Sequence, residues 1–294
     1  MNHKTKQSAA AMVSSMVIFG TIGIFRRMIP LPSPVLAFAR GIMGSVFLFL
    51  LLRVSGRRFD LTAVKKRLVL LMLTGALIGL NWMLLFEAYN YTSIAAATLA
   101  YYMQPPLVIL ASPIFLHEKI SLRKGVCVAV AALGMILVSG VLESGAGGSG
   151  QLRGIGFGLC AAFLYASVVI LNKRVTGVPV YEKTIIQLFF AAVVLLPYLA
   201  ATGSLHGYDL GLAASLCMIT VGILHTGIAY ALYFGAIEKL SGQTAAILSY
   251  IDPVTAVILS ALFLHEPMTV PGMAGAALII GSAVVSEFRL CAKK

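Results

Sequence analysis

Residues 96–119 read AATLAYYMQPPLVILASPIFLHEK, and residues 244–267 read TAAILSYIDPVTAVILSALFLHEP. The two segments align without a gap, so that Pro105 matches Pro253 and the same FLHE stands near the end of both. Each segment is long and apolar, yet proline, which has no backbone donor and clashes with the preceding helical turn, interrupts it. The chain therefore contains an internal repeat whose two copies are broken apolar segments.

The composition places these segments in a membrane. Of the 294 residues, 60% are hydrophobic and 11% are charged, whereas soluble domains carry about 25% charged residues. A helix needs roughly 20 apolar residues to cross a bilayer, and lipid leaves backbone groups no partner outside a helix or a closed barrel. We therefore predict an all-α polytopic membrane protein with ten spans, at 8–25, 34–54, 68–90, 93–116, 124–142, 154–172, 184–201, 211–235, 243–264 and 271–288.

The net charge of +12 follows from membrane topology. With the N-terminus inside, ten spans leave only Arg26, Arg27 and Arg153 of the 22 Lys and Arg residues in outside segments, and Arg40 lies within a span. This is the distribution that the positive-inside rule describes. It predicts that both termini are cytoplasmic, and it explains the basic surplus without a nucleic-acid partner.

The repeat extends over most of the chain. GLNWMLLFEA at 79–88 lies opposite GIAYALYFGA at 227–236, upstream of the broken segments. We therefore divide the chain into two five-helix repeats, 1–146 and 147–294, joined at the glycine-rich loop 143–151. Because five is odd, the second repeat enters the membrane from the opposite side. Inverted-topology repeats are frequent in secondary transporters, where two similar halves exchange conformations; a duplicated rigid scaffold is the alternative.

Ten spans and the pattern Y-x-x-P…F-L-x-E, present in residues 102–118 and 250–266, resemble the EamA family of the drug/metabolite transporter superfamily. The resemblance covers nearly the whole chain. It implies a multi-pass carrier of the inner or plasma membrane, often an exporter of amino acids or other small metabolites. It further implies a central cavity lined by spans 1, 3, 4, 6, 8 and 9. A double proline in span 4 and an aspartate before the proline of span 9 depart from the simplest pattern and leave the substrate open.

Asp252 is the most informative single residue. A carboxyl group at the centre of a spanning helix costs about 2.5–3.5 kcal/mol on insertion scales, so it normally faces a partner or a cavity. Its counterpart in the first repeat, Gln104, is also polar. We expect both to contribute to a substrate site, with Asp252 binding a cationic group or carrying a proton. The alternative is a neutral, hydrogen-bonded acid that only fixes the kink.

Pro105, Pro106 and Pro253 are predicted to kink spans 4 and 9 near the middle of the bilayer. They cannot donate to carbonyl groups one turn earlier, and such orphan carbonyls in lipid need another partner or a wet cavity. The carbonyls freed in this way belong to Tyr101, Tyr102 and Ser249. The kinks could serve packing alone, line the substrate path, or do both.

Arg40 lies about two turns into span 2 from the outside, and Glu87 lies near the outer end of span 3. The pair could form a structural ion pair. A latch that opens in one state, or a carboxylate anchor at Arg40, is the alternative.

Several further residues fall in the spans that the resemblance assigns to the cavity. An aromatic and polar lining would suit flat or cationic solutes, while packing or interfacial anchoring is the plainer interpretation. These candidates are Asn81, Trp82, Tyr101, Tyr102, Tyr165, His225, Tyr230 and Tyr250. Glu118 and Glu266, at the ends of spans 4 and 9, are interpreted as structural residues that make a helix-end hydrogen bond or ion pair.

Motifs of other classes are missing from the sequence. It has no G-x-x-x-x-G-K-[ST] loop for ATP, and no H-E-x-x-H or G-x-S-x-G for hydrolysis. Its four cysteines are scattered, so no metal site or disulfide framework is expected.

The sequence therefore predicts a non-enzymatic transporter without a cofactor, driven by a gradient or running downhill, with proton coupling open. We expect a monomer or homodimer that moves an amine-bearing metabolite by alternating access, in the export direction. The alternatives are a carrier of neutral or anionic metabolites anchored at Arg40, and a non-transporting scaffold or receptor.

Overall fold

The computed structural model describes residues 3–115, 120–138, 149–204, 207–237, 239–240, 248–266 and 269–287. Within these residues the regular structure is helical throughout. The first half contains α1 His3–Gly20, α2 Ile22–Met28, α3 Ser33–Val54, α4 Leu61–Lys66, α5 Leu68–Tyr91, α6 Ile94–Tyr101, α7 Gln104–Phe115 and α8 Leu122–Val138. The second half contains α9 Ser149–Asn172, α10 Val180–Val193, α11 Leu196–Ala201, α12 Leu212–Thr220, the π-helix Val221–Ile228, α13 Ala229–Ile237, α14 Ile251–Phe263 and α15 Val270–Glu287.

Much of the described chain is able to cross a membrane. Seven stretches are long and apolar enough, namely Lys6–Met28, Ser33–Val54, Leu68–Tyr91, Ile94–Phe115, Gly150–Asn172, Val180–Ala201 and Leu212–Ala236. Ile251–Phe263 and Val270–Val285 are shorter apolar helices. The expected all-helical, multi-pass architecture is confirmed, while the count of ten crossings and the orientation of the termini stay predictions.

The repeated proline segments form helices with a break. The chain turns at Tyr102 and Met103 between α6 and α7, and at Tyr250 before α14. Pro105, Pro106 and Pro253 lie in the first turns of α7 and α14, where a missing N–H leaves no helical hydrogen bond unmade. Proline therefore begins the second half of each broken segment.

Many contacts between helices in one half of the chain have an equivalent when the two halves are exchanged. Three contacts join a membrane segment to its repeat counterpart: α3 with α10, α6 of the fourth segment with α14 of the ninth, and α8 with α15. Three further contacts have matching ones in the other half, with α5–α9 matching α1–α13, α7–α9 matching α1–α14, and α5–α10 matching the contact of α3 with the π-helix. The two broken segments thus contact each other through α6 and α14. The proposed boundary at 146/147 lies outside the described residues.

Candidate functional site

The two helix breaks are joined by a hydrogen bond. The hydroxyl of Tyr102 donates to Asp252 Oδ2 at 2.6 Å, and the same hydroxyl lies 3.5 Å from the carbonyl oxygen of Ser249. Asp252 is half-buried in the first turn of α14, where the positive end of the helix dipole favours a carboxylate. The carboxyl group therefore faces the first repeat.

Aromatic rings surround this pair. Tyr101 lies 5.7 Å from the ring of Tyr102 and 5.7 Å from that of Tyr165, and Tyr102 lies 6.2 Å from Tyr250, measured between ring centroids. We call these four residues the tyrosine cluster. Tyr101, Tyr102 and Tyr165 are half-buried, as Asp252 is. Side chains at the helix breaks therefore keep part of their surface accessible.

Arg40 lies in the same interior region. Its side chain is 5% exposed, Nε donates to Thr226 Oγ1 at 2.7 Å, and Cζ lies 4.1 Å from the ring centroid of Trp82. Arg40 interacts electrostatically with Tyr101, Tyr230 and Asp252. The interior thus contains one guanidinium group and one carboxyl group near a common set of tyrosines.

The suggested ion pair between Arg40 and Glu87 does not form in this structure. Glu87 accepts hydrogen bonds from Ser33 Oγ at 2.7 Å and from Asn90 Nδ2 at 3.0 Å. Ser33 precedes Arg40 by about two helical turns, roughly 10 Å along α3. The cation near Glu87 is instead Arg26, whose guanidinium donates to Ser33 Oγ and Asn90 Oδ1.

Two other predicted lining residues serve contacts between helices. Asn81 is fully buried and donates from Nδ2 to the carbonyl of Ala161 at 2.6 Å, which ties α5 to α9. Its Oδ1 has no partner among the described residues. Trp82 is buried beneath the guanidinium group of Arg40.

His225 secures the break in the first membrane segment. Its Nε2 lies 2.8 Å from the hydroxyl of Thr21, the residue between α1 and α2. Because the Thr21 hydroxyl donates to the carbonyl of Ile18 at 2.7 Å, its lone pair is left to accept from the imidazole. Phe25 lies edge-on to the ring at 4.9 Å. His225 is fully buried by these contacts.

Tyr230 and Gln104 make no hydrogen bond to the tyrosine cluster among the described residues. The ring of Tyr230 packs edge-on against Phe19 at 5.2 Å, and Tyr230 interacts electrostatically with Tyr101, Tyr165, Arg40 and Asp252. Gln104 is half-buried and makes no hydrogen bond to any residue that the structure describes. No hydrogen bond therefore joins Gln104 to its repeat counterpart Asp252.

Glu266 makes both kinds of helix-end contact expected from the sequence. It forms an ion pair with Arg27 at 2.9 Å and accepts from the backbone N–H of Ile94, the first residue of α6, at 2.9 Å. Ser260 also donates to it. The structural interpretation of Glu266 is confirmed, whereas Glu118 lies outside the described residues.

Sequence reasoning missed Thr226, Thr21 and the π-helix that presents Thr226. The only local signal was a pair of adjacent polar residues, His225 and Thr226, in the middle of an apolar segment. No group of three or more His, Cys, Asp or Glu suited to a metal ion occurs in the described part of the chain. A shallow depression lies elsewhere, between α7, α8 and α15, and its lining holds no charged residue.

The fold and the site define a class: a multi-pass helical membrane protein whose two pseudo-symmetric halves enclose a charged and aromatic interior. The model of the EamA-like transporter family matches residues 7–140 and 152–287. The chain belongs to this family, and the resemblance inferred from the repeated proline motif is confirmed.

Similar proteins include an uncharacterised transporter, YxxF, of Bacillus subtilis, 31% identical over 266 residues that cover 90% of this chain and 84% of the relative. The protein RarD of Salmonella typhi is 27% identical over 276 residues, covering 92% and 89% of the two chains. A solved crystal structure has the same fold, with a TM-score of 0.66 at 20% identity over 95% of this chain and 96% of the other. These similarities identify a transporter-family protein of the cell membrane.

Proposed function

We propose that this protein is a secondary active or facilitative transporter that exports an amine-bearing metabolite, with an amino acid as the first choice. The observation that carries the proposal is the Tyr102–Asp252 hydrogen bond, which places a carboxyl group between the two broken helices. A carboxyl group held in a membrane interior marks a substrate or proton path more often than a packing site. Membership of the EamA-like family supports the transporter class.

Alternating access by two inverted halves is part of the proposal. The contacts of α3 with α10, of α6 with α14 and of α8 with α15 join counterpart membrane segments, which supports a two-fold relation between the halves. Five spans in each half would invert the second one. A rocking motion about this axis would open the Tyr102–Asp252 region to one side of the membrane at a time.

Two roles for Asp252 are open to measurement. As a carboxylate it would bind the ammonium group of the substrate, with the tyrosine rings adding cation–π contacts. As a proton carrier it would exchange its proton for the substrate, in which case transport would be driven by the proton gradient. Both roles need the ionisable carboxyl group and not merely its hydrogen bond to Tyr102.

Counterflow in proteoliposomes tests this proposal. We expect wild-type protein to accumulate labelled amino acid against unlabelled amino acid, and Asp252→Asn to reduce the rate by about ten-fold or more, because the amide keeps the hydrogen bond but carries no charge. Asp209→Asn is the matched control, since Asp209 is exposed. An unchanged rate and pH dependence in Asp252→Asn would remove Asp252 from both roles, and absence of counterflow with every solute tested would favour the scaffold or receptor.

One observation favours the second candidate substrate class, a carrier of anionic metabolites. Arg40 is buried without an acidic partner within ion-pair distance in the described part of the chain. A buried cation of this kind offers a site for an anionic group.

A further inference from the structure

The π-helix in the eighth membrane segment holds the hydroxyl group of Thr226 in place. The hydroxyl of Thr226 donates to the carbonyl of Val221, five residues earlier, at 3.0 Å. A hydroxyl has a single proton, so the oxygen of Thr226 has only lone pairs left. One of these faces Arg40, whose Nε donates to Thr226 Oγ1 at 2.7 Å. The hydrogen bond to Val221 thus fixes the hydroxyl of Thr226 where its oxygen accepts from Arg40. π-Helical turns are frequent at functional sites.

The Nε atom and the flat face of the Arg40 guanidinium group have partners, whereas its two Nη atoms have none among the described residues. Its Nε is bound to Thr226, and its flat face lies on Trp82, 4.1 Å from Cζ to the ring centroid, with Phe86 at 5.7 Å. The two terminal Nη atoms make no hydrogen bond to any described residue. Neither is a fully buried polar atom without a partner in the described part of the chain, so each keeps some accessible surface in a residue that is 5% exposed. Because the guanidinium group is planar, these two contacts determine where the free Nη fork points.

Tight packing keeps Thr226 in place. Gly44 lies one turn after Arg40 on α3, and a Cβ atom at Gly44 would overlap the methyl group of Thr226. The backbone of α3 therefore approaches the π-helix closely, which leaves Thr226 little room to turn away from Arg40.

We infer that Thr226 is a positioning residue that orients Arg40 so that its Nη fork binds a carboxylate of the transported compound. Two parallel N–H donors match the two oxygens of a carboxylate. A carboxylate bound at Arg40 and an ammonium group bound at Asp252 would together satisfy the two charged ends of an amino acid. The inference rests on the proposed function for its substrate, although it concerns a separate binding contact.

The chain contains its own probe for this contact. Trp82 is the single tryptophan in the sequence, and it lies directly under the guanidinium group of Arg40. Its fluorescence in detergent-solubilised protein therefore reports on Arg40 without a label. We would titrate L-phenylalanine, L-leucine and L-threonine, together with the amine that lacks the carboxylate and the acid that lacks the amino group for each.

Three variants separate positioning from general structural damage. Thr226→Val removes the acceptor for Arg40, and Thr226→Ser retains it. Thr220→Val is the matched control, because Thr220 stands just before the π-helix and donates only to the carbonyl of Leu216. We expect Thr226→Val to weaken binding of at least one amino acid and its deaminated acid by about ten-fold or more, and to leave binding of the matched amine unchanged. Thr226→Ser and Thr220→Val should behave as wild type.

Three outcomes would overturn the inference. The first is that Thr226→Val weakens the binding of amines and of carboxylates equally. The second is that it weakens the binding of neither. The third is that no carboxylate of the set changes the fluorescence emission of Trp82 in the wild-type protein. Counterflow is measured separately. Carboxylate-selective binding without transport would reject the proposed function and support the Arg40 subsite. Transport that does not depend on the carboxylate would support the proposed function and reject the Arg40 subsite.

Discussion

Gly20 shows how closely the first membrane segment approaches the carboxyl-bearing helix. It is the last residue of α1, and a Cβ atom at this position would lie 2.7 Å from the carbonyl oxygen of Asp252 and 2.6 Å from Thr255 Cβ. Thr21, the next residue, contacts His225. One residue without a side chain therefore lets three membrane segments meet beside the site.

We predict that Gly20→Ala destabilises the protein by about 1–3 kcal/mol, because the added methyl group must push α1 away from the backbone of α14. Thermal unfolding in detergent measures the effect, and counterflow should fall with it. Gly156→Ala is the control, since nothing lies within 4 Å of a Cβ atom there, and in the middle of α9 alanine is neutral or stabilising by up to about 1 kcal/mol. Equal unfolding temperatures for the two variants would contradict the close approach of α1 and α14.

At the scale of helices, Glu266 joins the ends of three elements. It follows α14, pairs with Arg27 near the end of α2, and accepts from Ile94 at the start of α6. The side chain of Arg27 is 42% exposed and that of Glu266 16%. Exposed ion pairs contribute about 0–1 kcal/mol, whereas a buried donor or acceptor left without a partner costs about 1–3 kcal/mol. The hydrogen bond to α6 should therefore outweigh the ion pair.

We predict that Glu266→Ala destabilises the protein more than Arg27→Gln, and that Glu266→Gln falls between them because its amide oxygen can still accept from Ile94. Hydrogen exchange at the Ile94 amide should follow the same order, with Glu266→Ala the fastest. If Arg27→Gln matched Glu266→Ala in both measurements, the ion pair would be the dominant contact and this ranking would be wrong.

Some of these elements could be predicted and others could not. Proline interrupts a helix by its own covalent structure, so the breaks near Pro105 and Pro253 were accessible from the sequence. The suggested ion pair between Arg40 and Glu87 does not form in this structure, because the order of the spans along the chain does not determine the depth of each residue in the membrane. Arg40 lies about two turns from the end of α3 that reaches Glu87. The π-helix carries no proline or glycine pattern that distinguishes it from an α-helix.

At the scale of the whole molecule, the repeat relates two halves through their contacts. The fourth and ninth membrane segments, which contain the two breaks, contact each other through α6 and α14, and α3 contacts α10. A site on such an axis has access to both sides of the membrane only if the halves insert in opposite directions. The orientation of each half is therefore the property on which alternating access depends.

We predict that a reporter placed at residue 150 lies outside the cell and that one after residue 294 lies inside. Alkaline phosphatase, which is active only outside, should be active at the first position, and a fluorescent protein should be bright at the second. A fusion after residue 57, in a basic segment, serves as an inside control. Reporters at 150 and 294 on the same side would reject the inverted repeat.

The membrane class, the family, the internal repeat and the positions of the helix breaks could be predicted from the amino-acid sequence. These properties depend on hydropathy and on proline, which act within a few residues of the chain. The contact of Asp252 with Tyr102 and the contacts of Arg40 with Trp82 and Thr226 became visible in the folded chain alone. In a membrane both the lipid-facing side and the packed side of a helix are apolar. The pattern of residues therefore does not reveal how each helix is rotated or how deep it lies in the bilayer. Polar contacts between helices depend on that rotation and that depth.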